Sequence, residues 1–133
     1  MKYIAAFSGI VATLIILAIV LVGGATYPGY DHIGQFISEL GAVDAPHAFA
    51  VSWYGFLPAG LLMLAFALLA FLVLPKGPLT GIGFTGLALY AYGYVNSAYF
   101  PCDAGCDMDD PSMSMILHAS IGMLGYLTGC IGL

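Results

Sequence analysis

Residues Trp53 to Leu74 read WYGFLPAGLLMLAFALLAFLVL, a run without one charged side chain. A helix of about 20 apolar residues rises about 30 Å, the thickness of a bilayer's hydrocarbon core. This run therefore reads as a membrane span, and its neighbours repeat the pattern. Ile4–Val22 precedes it, and roughly Leu79–Tyr99 follows, rich in Gly and Tyr. A further run opens near Met113 and continues to Leu133. The chain has 133 residues, 62% hydrophobic and 7% charged. A soluble domain of that size has too much surface for so few charges, whereas lipid faces apolar side chains directly. The expectation is an all-α polytopic bundle of about four helices. It forms one membrane domain over 1–133, with spans near 4–22, 53–74, 79–99 and 113–133. Pro58 is expected to kink the second span.

Every Asp and Glu lies in two connections, Gly23–Ser52 and Asn96–Ser112, while Lys2 and Lys76 lie in the opposite set. By the positive-inside rule the lysines mark the cytoplasmic side. The N-terminus is then cytoplasmic and both acidic loops face outward, as in a bacterial inner membrane. The first run follows one lysine and lacks a small-residue cleavage site before Tyr27, so it reads as a retained helix. The formal net charge of −5 argues against nucleic acid and against an anionic leaflet as partners. The apolar finish at Leu133 gives the expectation of a C-terminally incomplete chain.

The first acidic loop has its own pattern. Pro28-Gly29 makes a turn, and Asp31 is expected to cap a short interfacial amphipathic helix from His32 to Leu40. Ile33, Phe36, Ile37 and Leu40 fall on one face of that helix, with His32, Gln35 and Glu39 on a solvated one. In the second loop, Cys102 and Cys106 flank Ala104-Gly105, a spacing that suits a small disulfide loop in an oxidising compartment. A redox-active pair or metal thiolates are the alternatives; the spacing is not a zinc-ribbon CxxC and there is no second Cys pair. Asp103, Asp107, Asp109 and Asp110 lack EF-hand spacing and read as a solvated acidic loop.

In the fourth run, His118, Gly122, Gly125 and Gly129 recur on one helical face. In the third, Gly86, Tyr90, Gly93 and Ser97 do the same. Small residues let membrane helices approach closely, so these stripes are expected to pack together, with a homo-oligomer contact as the other use. A histidine facing a bundle interior needs a partner, and Asn96, Glu39 and Asp31 are the candidates for His118. A haem is disfavoured, because a second embedded histidine is missing.

The motifs Tyr27-Pro-Gly-Tyr-Asp-His, Phe36-Ile-Ser-Glu-Leu-Gly-Ala, Phe100-Pro-Cys-Asp-Ala-Gly-Cys and Pro111-Ser-Met-Ser with His118 resemble the DUF998 family. The resemblance implies a multi-pass membrane protein without an assigned activity, in a family whose members typically carry further helices. More weakly, the layout is similar to the Frag1/DRAM/Sfk1 proteins, which implies a link to lipid handling.

The spans contain no Asp, Glu, Lys or Arg, unlike transport pathways and proton relays. The first expectation is therefore a non-catalytic accessory subunit of a larger membrane complex, with a membrane-protein partner or a second copy. The alternative is an outer-leaflet lipid or small-hydrophobe binding protein, its site built from Asp31, His32, Glu39, Asn96 and His118. A metal- or His/Glu-dependent enzyme, joining His32, Glu39, His118 and Asp103, ranks below both. No catalytic residue, metal or cofactor is assigned; bound lipid is the one expected ligand.

Overall fold

A computed structural model describes residues 1–132, with the side chains of 1–130. The chain forms four long helices and no strand among the described residues. We number them α1, Lys2–Thr26; α2, Ala48–Val73; α3, Pro78–Tyr99; and α4, Met113–Gly132. The predicted last residue of the fourth span, Leu133, lies outside the described residues.

Three helices, α1, α2 and α4 as far as Cys130, are long and apolar enough to cross a membrane. The 22-residue α3 is shorter than α1 and α2 and is rich in glycine and tyrosine. It packs between α2 and α4.

The side-chain sizes run opposite to those of a soluble bundle. Phe7, Ile10, Leu14, Leu21, Leu61 and Leu68 are exposed, while Ala12, Ala59 and Ala91 are wholly buried. Without water to drive association, close backbone approach and dispersion do the work, and small residues allow both. Gly60 shows how close α2 and α3 come. A Cβ there would lie 2.9 Å from the Ala91 carbonyl and 2.9 Å from the Val95 nitrogen. Hydroxyls within the spans bond back to their own helix, as Thr13 does to the Gly9 carbonyl at 2.9 Å and Thr128 to that of Leu124 at 2.7 Å. Lipid offers them no other partner.

Both α1 and α2 contain a widened π segment, Ile19–Gly23 and Val51–Phe56. The second stands just before Pro58, where the ring excludes a normal carbonyl at Tyr54 and no N–H is available. A π turn absorbs that mismatch, and the helix runs on through Pro58. Ile19 packs against Gly55, joining the two widened segments. Around them sits the main core, Ile19, Leu40, Val51, Phe56, Tyr94 and Ala98.

Each helix packs on its neighbours in sequence. No comparable seam joins α1 to α4 among the described residues, so the bundle is an open row.

Candidate functional site

The acidic end of the row is built by the first loop. The expected helix from His32 to Leu40 is replaced by turns and a 3-10 segment, Ile37–Gly41. The reason is local competition for backbone groups. Asp31 Oδ1 accepts from the Ile33 N–H at 3.0 Å, Gln35 Oε1 from the Asp31 N–H at 2.8 Å, and Glu39 Oε1 from the Phe36 N–H at 2.9 Å. Asp31 thus caps a turn rather than a helix. Glu39, expected on a solvated face, is 6% exposed, while Ile33 is 97% exposed. Gln35 Nε2 donates to Glu39 Oε2 at 2.5 Å, so the buried carboxylate is held from two sides.

Leu40 is buried against Gly23, and Gly41 against Ser52 and Phe56. His32 folds back onto α1, its Nε2 bonded to the Val20 carbonyl at 3.1 Å and its ring edge-on to Tyr30 at 5.0 Å. Partial burial, and then the nearby carboxylates of Glu39 and Asp31, raise the Tyr30 phenol above its ordinary value.

The second loop is stitched to the first. Cys102 and Cys106 stand at disulfide distance, their sulfurs 2.03 Å apart. Gly105, at φ 63°, supplies the left-handed turn between them. The Val43 N–H donates to the Cys102 carbonyl at 3.1 Å. Ser38 Oγ lies 3.6 Å from Cys106 Sγ, and a disulfide sulfur has no proton to give, so the serine donates. Asp103 accepts from both the Ser112 N–H and its hydroxyl, each at 2.7 Å. Ser112 Oγ in turn accepts from the Met115 N–H at 3.1 Å, capping α4. Those two bonds hold the Asp103 carboxyl below its ordinary range.

His118 is 8% exposed. Its partner is the Phe100 carbonyl, 2.9 Å from Nδ1, rather than Asn96, Glu39 or Asp31. A carbonyl only accepts, so in the neutral ring the proton sits on Nδ1 and Nε2 keeps a lone pair. Asn96 instead donates to the Leu117 carbonyl at 3.3 Å, and its buried Oδ1 has no partner among the described residues.

Beside His118 lies a cleft of about 440 Å³ between the first loop, α3 and α4. Gln35 to Ser38 form its lip, Tyr90, Tyr94 and Ser97 one wall, and His118, Gly122 and Tyr126 the other. Ring edges lock the aromatic wall: Tyr90 meets Tyr94 at 5.4 Å and Tyr126 at 5.5 Å between centroids. Of the five polar residues expected to build a ligand site, His118 alone lines this cleft. His32, Glu39, His118 and Asp103 each serve a different partner. No group of three or more His, Cys, Asp or Glu side chains is placed to hold a metal among the described residues.

The expected glycine seam divides into parts. A Cβ on Gly125 would lie 3.1 Å from the Leu89 carbonyl, and one on Gly129 3.2 Å from Tyr90 Cβ. One on Gly122 would meet nothing within 4 Å, because Gly122 faces the cleft. Gly93 would bring a Cβ to 3.9 Å from Gly122 Cα, and Gly86 is buried on α3. Tyr94, Tyr126 and Ser38 escaped the sequence reading. Tyr126 carries a signal nonetheless, standing eight residues from His118 on the Gly122 face.

Membrane-crossing helices joined by small-residue seams, with a cross-linked loop over one end, define a polytopic membrane protein. The family profile "Protein of unknown function (DUF998)" matches residues 10–133, and the chain belongs to that family. No curated protein and no solved structure matches it.

Proposed function

We propose that this chain is a non-catalytic membrane protein that holds a lipid or small hydrophobe in the cleft beside His118. One observation carries the reading: a preformed space of about 440 Å³ with apolar and aromatic walls and a buried histidine at its rim. That size falls within the roughly 300–1,000 Å³ of ligand pockets, and few polar groups on apolar walls is their usual make-up. The positions of Lys2 and Lys76 support an outward-facing acidic end under the positive-inside rule, and with it a cleft in the outer leaflet.

Gly122→Leu tests this. Its Cβ has open space, so the larger side chain enters the cleft rather than a helix seam. In nanodiscs, native mass spectrometry of the wild type is expected to show one retained amphiphile that Gly122→Leu loses. An identical lipid complement in both proteins refutes the reading.

The accessory-subunit role stands second. The open row favours it, since among the described residues α1 packs only on α2 and α4 only on α3 among the long helices. Stoichiometric co-purification of a larger complex in mild detergent is its signature.

A further inference from the structure

Resting on the cleft reading, we infer that the occupant is an uncharged amphiphile whose headgroup donates hydrogen bonds, a lipid alcohol rather than a phosphate. The argument is one of donors and acceptors at the rim. His118 commits its Nδ1 proton to the Phe100 carbonyl at 2.9 Å, and Nε2 has no hydrogen bond among the described residues. Ser97 commits its hydroxyl proton to the Gly93 carbonyl at 2.9 Å. Ser38 commits its own to the Cys106 sulfur at 3.6 Å. Each group keeps lone pairs and no proton to offer. The lip adds one neutral donor, the second amide hydrogen of Gln35 Nε2, against these three acceptors, and a rim rich in acceptors binds a donor.

Deeper down, the Tyr90 and Tyr94 hydroxyls lie 3.2 Å apart and share one hydrogen bond. Tyr126 adds a third hydroxyl on the facing wall, so the depth of the cleft offers neutral phenol protons and no cation. Phosphate recognition needs the reverse: several N–H donors and a positive charge. The chain's only cations, Lys2 and Lys76, stand in the opposite set of connections. Lys76 is turned back on Phe71, its ammonium 3.8 Å from the ring centroid. The two loops beside the cleft carry all seven acidic residues, which repel an anion further. An alcohol meets each condition: one O–H for His118 Nε2, no charge, and a tail for the tyrosine and glycine walls.

The test uses two probes that share acyl chains, 1,2-dioctanoylglycerol and the corresponding phosphatidic acid. Each is titrated onto the protein in nanodiscs and read by native mass spectrometry. The glycerolipid alcohol is expected to bind at least about tenfold more tightly, the scale of one net hydrogen bond plus a repelled charge. His118→Phe should lower alcohol binding by about tenfold, and thermal unfolding checks that this variant is folded. Ser97→Ala should keep the preference for the alcohol, having lost one acceptor of several. Equal binding of the two probes, or tighter phosphatidate binding, overturns the inference. If Gly122→Leu still abolishes that binding, the cleft reading survives. Binding of either probe that Gly122→Leu leaves untouched places it elsewhere and overturns both.

Discussion

Asp103 shows how one exposed side chain fixes a loop to a helix. Its carboxylate accepts two hydrogen bonds from Ser112, from the N–H and the hydroxyl, and the Ser112 hydroxyl oxygen caps α4 by accepting from the Met115 N–H. Both bonds favour the ionised form, so the folded carboxyl titrates below its ordinary 3.8. The unfolded chain then binds the proton more readily than the folded one, and stability falls as pH falls. The contribution is complete above 3.8 and disappears as pH drops through the lowered folded value. A carbon-detected NMR titration is expected to place the Asp103 midpoint below that of the same residue in an unfolded peptide. Coincident midpoints contradict the capping account. Asp103→Asn should remove this part of the acid sensitivity. Sequence alone marked Asp103 as one of four solvated carboxylates, because its partner lies nine positions further along the chain.

At the scale of elements, glycines that look alike in sequence do different jobs. Gly60 sits where a Cβ meets backbone on both Ala91 and Val95, and backbone does not yield as a side-chain tip does. Gly60→Ala is expected to cost about 1–3 kcal/mol by overpacking. Gly122→Ala, with open space at its Cβ, should be near neutral. Thermal unfolding of the two variants in detergent reads the contrast, and equal melting temperatures would rule out the seam described for α2 and α3.

The four helices were legible because lipid-facing composition is decided within each run. The first loop was not. Its apolar positions, Ile33, Phe36, Ile37 and Leu40, do keep helical spacing, yet Asp31, Gln35 and Glu39 capture the backbone groups that a helix needs. Periodicity reports which residues share a helical face and says nothing of side chains that compete for N–H groups. The cleft was hidden for a different reason, since its walls come from 35–38, 90–97 and 118–126.

For the whole molecule, the charge pattern sets a prediction about orientation. In a Cys130→Ala background, a cysteine at Asp44 is expected to react with a membrane-impermeant maleimide on intact cells, and one at Lys76 only after lysis. The reverse pattern would put the cleft in the inner leaflet. The row of helices has a further consequence, one of timing. A ribosome releases the spans in chain order, and each arrives to find its docking surface already in the bilayer. α1 and α2 can settle as a pair before α3 exists. The cleft has no such early form, because its second wall belongs to α4. A nascent chain halted before α4 would be inserted and anchored with one side of the cleft missing, so the cleft takes shape only once α4 has followed α3 into the bilayer.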